Sequence, residues 1–137
     1  MGSLMVDSCV LLDIFNEDEL WCDWSVQMLG ELSKKHRLVI NPIIFTEIAF
    51  NFDSQELLED TLSQLNIAIY DIPLDAAFKV SRTFKEYRRR KGTKTSPMPD
   101  FYIGAHAETL GASVITRDSN RFKSYYPDVH LYTPNDM

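Results

Sequence analysis

The sequence predicts an α/β domain, a parallel sheet with helices on both faces, and three observations carry that expectation. Short apolar runs that suit buried strands alternate with longer runs of helical spacing, and this strand-then-helix order repeats along the chain. Residues with the chemistry of helix caps and stops fall at the joints between runs. The 137 residues, 45% of them hydrophobic, suffice for one core, and no change of composition marks a second domain.

The elements follow in order. Met1-Gly2-Ser3 resembles an expression scar, so the single domain is taken as residues 4–137. Leu4 to Val6 is a strand ending on Asp7, with Ser8 placed to cap the helical run Cys9 to Phe15. Glu17 to Lys35 begins with three acids and ends with Lys34, Lys35 and His36, which suits a helix dipole at both ends. Leu20, Trp24, Met28, Leu29 and Leu32 recur there at helical spacing and are assigned to the core. Arg37 to Ile40 is a second strand. Asn41-Pro42 then starts a helix in which Glu47 stands among Ile43, Ile44, Ile48 and Phe50.

Asp53-Ser54 caps a helix over Gln55 to Leu65, and Ile67 to Tyr70 is the third strand. Pro73 and Asp75 open a long basic helix that runs to Lys91 and is closed by Gly92. Its inward stripe is expected to be Leu74, Ala77, Phe78, Ser81, Phe84 and Tyr87, with Lys79, Arg82, Lys85 and Arg89 outward. Pro99 suits a helix start, and Asp100 places a negative charge at the positive end of the helix that runs to Leu110. Ile103, Gly104 and Ala107 give that helix a side that a neighbour can approach closely, and Gly111 supplies a left-handed stop. Ala112 to Thr116 reads as a buried strand, 119–123 as a turn, and Val129 to Tyr132 as the last strand.

Several function classes are disfavoured. No apolar run is long enough to span a bilayer and no secretory pattern is present, so the expected location is cytoplasmic. Cys9 and Cys22 form no C-x-x-C pair, and His36, His106 and His130 lack zinc-ligand spacing. The net charge of −6 conceals a division. Residues 1–78 hold 3 basic and 14 acidic side chains, whereas residues 79–137 hold 11 basic and 6 acidic. Arg82, Arg88, Arg89 and Lys91, within the basic helix and its end, are candidate contacts to an RNA backbone; the competing reading is a solvated helix face.

Acids are the other conspicuous feature. Asp7, Asp100 and Asp118 fall at the C-terminal edge of the expected sheet, where open α/β sheets bind ligands, and Glu47 follows strand two. Like charges so gathered raise their own pKa values unless a counter-charge is present, and the natural one is a hard divalent cation, Mg²⁺ or Mn²⁺. Such a cation supports phosphodiester hydrolysis. Taken singly, each acid could equally serve as a cap.

In order and register, D-S at Asp7 and Ser8, T-E-I-A around Glu47, M-P-D-F-Y-I-G-A-H-A around Asp100 and T-R-D at Thr116 to Asp118 resemble a PIN domain. More narrowly, they resemble the VapC ribonuclease toxins of type II toxin-antitoxin pairs. The resemblance implies a three-layer α/β/α fold with a roughly five-stranded parallel sheet and a Mg²⁺- or Mn²⁺-dependent endoribonuclease that inhibits translation by cleaving RNA. It also implies homodimerisation and a cognate antitoxin that covers the acidic pocket. Position by position, Asp7, Glu47, Asp100 and Asp118 would be the metal-binding catalytic acids, with Ser8 and Thr116 as supporting hydroxyls. Many relatives carry a further acid just before the aromatic that corresponds to Phe122; here that residue is Arg121, a departure that bears on a second metal site. The alternative function is a catalytically inactive PIN-like binding module. A receiver-like module would need paired acids after strand one and a late lysine, and an Asp-nucleophile phosphatase would need an acid where Cys9 stands.

Overall fold

The computed structural model describes residues 2–134. Met1, part of the expected scar, and residues 135–137, the end of the expected domain, lie outside the described residues. Five parallel strands form one sheet in the order β3-β2-β1-β4-β5: β1 (Gly2–Val6), β2 (His36–Ile40), β3 (Ala68–Ile69), β4 (Ser113–Ile115) and β5 (Leu131–Tyr132). Gly2 and Ser3, set aside in the sequence, in fact extend β1 and pair with His36 and Arg37. The central strand is apolar throughout its core half, with Leu4, Met5 and Val6 fully buried. That is the pattern of a strand covered on both faces.

Helices connect the strands: α1 (Ser8–Phe15), α2 (Cys22–Leu32), α3 (Pro42–Ala49), α4 (Gln55–Gln64), α5 (Leu74–Arg89), α6 (Pro99–Leu110) and α7 (Asn120–Lys123). From β1 the chain steps outward through β2 to β3, returns across the sheet to β4 and then leaves in the opposite direction to β5. Right-handed crossovers therefore put α1 to α4 on one face and α5 to α7 on the other. Contacts agree, for α1 packs on α2 and α3, while α6 packs on α5 and α7. The strand order reverses between β1 and β4, which makes the ends of these two strands the switch point of the sheet. No helix among the described residues is long and apolar enough to cross a membrane.

Several local readings differ from the sequence, among them the expected turn at 119–123, which is the helix α7. The segment from Glu17 does not begin a helix: Glu17 takes a positive φ of 50°, Asp18 accepts from the amides of Leu20 and Trp21, and α2 starts only at Cys22. Leu20 consequently lies outside the helix and is 75% exposed rather than core. In α5 the buried side is Ala76, Val80 and Thr83, and both Leu74 and Phe78 face solvent. The helix has turned about one position from the expected stripe because its small residues fit against α6, and Lys79 pairs with Glu108 of that helix instead of pointing freely outward. The left-handed stop of α5 falls on Lys91, at φ 69°, and not on Gly92. Gly92 is needed for space, since a Cβ there would meet the Tyr87 ring at 2.3 Å.

The small side of α6 performs as expected. Tyr126 lies against Gly104, its hydroxyl 2.8 Å from Thr83 Oγ1 and 3.0 Å from the Phe101 carbonyl, which share its one proton. Burial pushes the phenol up to about 12. With Phe122 fully buried beside it, this contact fastens the one-turn helix α7 to α6.

Candidate active site

The sheet's switch point delivers Asp7 at the end of β1 and Thr116 to Asp118 just past β4. Asp7 extends the ladder, its N–H donating to the Ile115 carbonyl at 3.1 Å, before the chain turns into α1. Its carboxylate, not the Ser8 hydroxyl, caps that helix: Oδ1 accepts from the Ser8 amide at 2.9 Å. Oδ2 accepts from Thr116 Oγ1 at 2.8 Å and from Arg121 Nη1 at 3.0 Å, with the Cys9 thiol at 3.6 Å. Asp7 and Thr116 are both fully buried. Burial raises the Asp7 pKa above the ordinary carboxylate range; Arg121, the Thr116 hydroxyl and the Ser8 amide pull it back, and Asp100 pushes it up again. Burial and the Asp7 charge together push the Cys9 thiol up to about 11, so it is not a nucleophile at neutral pH.

Asp100 enters from α6, where Pro99 occupies the first turn and Met98 is the cap. Its carboxylate Oδ1 accepts from Arg121 Nη2. Glu47 enters from α3, whose start is fixed by Asn41: the side-chain oxygen accepts from the Ile44 amide at 3.0 Å, and the amide nitrogen lies 3.2 Å from His106 Nδ1 on α6. That buried Asn–His contact ties the helix of Glu47 to the helix of Asp100. Burial lowers the His106 pKa, which keeps the imidazole neutral and able to accept from Asn41. Glu47 is raised by burial first and by Asp7 and Asp100 as well, against the Ser8 hydroxyl and Arg121. Its Oε1 is buried without a hydrogen-bond partner.

Three of the four expected acids, Asp7, Glu47 and Asp100, therefore come together around Arg121. Asp118 is placed differently. Its backbone N–H donates to Thr116 Oγ1 at 3.1 Å, and its side chain is exposed at the rim. Thr116 thus links the acid behind it to the acid beside it, and Ser8 lies between Asp7 and Glu47. The carboxylate donors suit a hard cation, and the orphaned Glu47 oxygen is the kind of atom that a ligand would satisfy. They do not, however, form a ready cage. Among the described residues no group of three or more potential ligands has metal-holding geometry, and the guanidinium of Arg121 spans Asp7 and Asp100. The counter-charge missing from the sequence reading is an arginine of the chain itself.

A second arginine nearby has another task. Arg117 makes a two-pronged pair with buried Asp13 of α1, 2.7 and 3.0 Å, which also accepts from Ser25 at 3.2 Å, and its guanidinium lies 5.4 Å from the Trp21 ring centre. This pair pins the loop after β4 to α1 and α2. Of the expected RNA contacts, Arg82, Arg88, Arg89 and Lys91 are all exposed; Arg89 is engaged with Glu86, Arg88 donates to the Lys94 carbonyl at 2.8 Å, and Arg82 sits over the Phe78 ring.

The PIN domain family model matches residues 4–126. A chain of the VapBC2 complex from Rickettsia felis bound to a fragment of its promoter DNA superposes with a TM-score of 0.74 at 20% identity, covering 95% of this chain and 97% of that one. A chain of a toxin–antitoxin complex from Klebsiella pneumoniae gives 0.70 at 22% identity, with 96% and 98% covered. FitAcB from Neisseria gonorrhoeae gives 0.69 at 18% identity, with 98% and 99% covered. No curated protein matches the sequence.

Proposed function

The chain belongs to the PIN domain family, and from that membership we propose that it is a divalent-metal-dependent endoribonuclease of VapC type, the toxin of a toxin–antitoxin pair acting in the cytoplasm. The observation that carries the reading is the meeting of Asp7, Glu47 and Asp100 at the switch point of a parallel sheet, with one buried carboxylate oxygen left unsatisfied. Asp7, Glu47 and Asp100 would hold the cation, Mg²⁺ or Mn²⁺, and Asp118 would complete the set from the rim. When bound, the cation supplies charge stabilisation at the phosphodiester oxygens and lowers the pKa of a coordinated water. Glu47 Oε1, held in a desolvated place, is suited to accept a proton there. Thr116 fixes Asp7 and the backbone of Asp118, and Ser8 stands beside Glu47 as the supporting hydroxyl.

RNA as substrate is supported by the exposed cations of α5 and its end, Arg82, Arg88, Arg89 and Lys91. A protein partner is supported by large apolar side chains left in water, among them Leu20, Phe50, Leu74 and Phe78. A groove of about 370 Å³ lined by Ile14, Val26, Leu29, Leu38, Leu65 and Ile67 adds to that support. The antitoxin and a second copy of the chain, as a homodimer, are the partners proposed for these surfaces. Arg121, which fills the space between two acids, favours a second reading, the inactive PIN-like binding module. Cleavage of RNA by the purified chain separates the two. The nuclease reading expects cleavage that requires Mg²⁺ or Mn²⁺, stops with chelator and is abolished in a well-folded Asp100→Asn variant. Undiminished cleavage by that variant, or none by the wild type with metal, overturns it.

A further inference from the structure

We propose that Arg121 is a built-in competitor of the divalent cation: the guanidinium holds the two carboxylates, Asp7 and Asp100, that the ion would need, so that the ion enters only as Arg121 leaves. This deepens the nuclease reading and rests on it. Asp7 Oδ2 already accepts from Thr116 and Arg121 and lies within reach of the Cys9 thiol, so its lone pairs have no room for a further strong donor or cation. The same guanidinium holds Asp100. An arginine stays protonated throughout the usable pH range, so the pocket cannot be freed by titrating it; the side chain has to move.

The surroundings permit that movement. The backbone of α7 is anchored by Phe122 and Tyr126, both buried, but the Arg121 side chain is 23% exposed; among the described residues its ionic partners are Asp7 and Asp100, and its guanidinium lies 5.7 Å from the Phe122 ring centre. Arg117, by contrast, is fixed in a two-pronged pair to the buried Asp13 and cannot take this part. Two arginines four positions apart are thus divided between a structural pair and an exchangeable one. A chain with a fully buried Asp7 needs a positive charge at that point in either state, and Arg121 supplies it until the ion does.

The test is calorimetric titration of Mn²⁺ into the metal-free full chain for wild type, Arg121→Gln and Arg121→Lys. Competition requires the Gln variant to bind Mn²⁺ about tenfold or more tightly than wild type, the size of an ordinary coupling between two ligands. The Lys variant, which keeps the charge but cannot span both acids, falls between them. Equal or weaker binding by the Gln variant overturns the competition and leaves the nuclease reading standing; no Mn²⁺ binding by any of the three overturns both. A wild-type measurement covers the case of a poorly folded variant. The Arg121 guanidinium N–H resonances, assigned by their loss in Arg121→Lys, are expected to be protected in chelator and to shift and lose protection on saturation with diamagnetic Mg²⁺. Resonances that stay in place at saturation contradict the proposal.

Discussion

Replacing Thr116 by Val removes one oxygen from a fully buried side chain, nearly preserves its shape, and cuts two hydrogen bonds at once. The hydroxyl donates to Asp7 Oδ2 at 2.8 Å and accepts from the Asp118 amide at 3.1 Å. A bond to a charged group contributes about 1.5–3 kcal/mol and one between neutral groups about 1 kcal/mol. The Asp118 amide can turn to water, so the expected loss is about 2–3 kcal/mol, roughly 10 °C in Tm for a domain of this size. The loss also depends on pH. Burial holds the Asp7 pKa above its unfolded value and the Thr116 bond lowers it, so Val raises it further. A carboxylate with a raised folded pKa penalises folding as pH climbs from the unfolded value through the folded one, and the penalty then levels off. The variant is therefore expected to lie closer to wild type in acid than at neutral pH. If Asp7 holds the proposed cation, it must do so ionised, and the acid limb of Mn²⁺ affinity should move to higher pH. Urea unfolding in chelator and Mn²⁺ titration, each on both sides of the limb, measure the two effects. Thr116→Ser keeps the hydroxyl and should keep the limb. Wild-type stability and an unmoved limb in Thr116→Val would refute the reasoning.

Other perturbations reach the frame around the pocket. Gly104→Ala puts a Cβ 2.3 Å from the Tyr126 ring and should cost about 1–3 kcal/mol, read as a lower denaturant midpoint, despite the better helix former. Asp118→Asn, at an exposed side chain with no ion pair among the described residues, should leave metal-free stability within about 0.5 kcal/mol of wild type while reducing RNA cleavage. Changing Arg82, Arg88, Arg89 and Lys91 together to Gln should weaken RNA binding across sequences and flatten its salt dependence without moving the cleavage position; an unchanged salt slope assigns this surface to solvent or to a partner.

Much of the architecture was legible in the sequence because it is written in local chemistry. Five apolar strands, Asn41-Pro42, Ser54, Pro99 and Gly111 each announce a boundary through their own backbone or side-chain preferences. The convergence of Asp7 and Asp100 was legible for the same reason, as a strand-end acid and a helix-start acid in a parallel fold. What was hidden depends on contacts distant in the chain. Arg121 meets Asp7 across 114 positions from a helix of one turn, too short to leave any periodicity; its signal in the sequence was a basic residue where the resemblance implies an acid in many relatives. The Asp13–Arg117 pair is equally remote, 104 positions apart. The facing of α5 was misjudged because Ala76, Val80 and Thr83 pack tightly against α6 while the larger Leu74 and Phe78 remain outside, a choice made by the fit between helices and not by hydrophobicity. The left-handed turn at Lys91 likewise follows from closing Gly92 onto Tyr87, whose hydroxyl accepts from the Lys94 amide at 3.0 Å.

The claim that these acids form a cation site is tested most directly by locating the ion. Crystals of the chain grown or soaked with Mn²⁺ can be measured at a wavelength where manganese scatters anomalously. The account expects an anomalous peak bounded by the carboxylates of Asp7 and Asp100, with Glu47 and Asp118 bound directly or through water and the Arg121 guanidinium withdrawn from both aspartates. A fully occupied Mn²⁺ peak elsewhere on the molecule, with Arg121 still joined to Asp7 and Asp100, would contradict it.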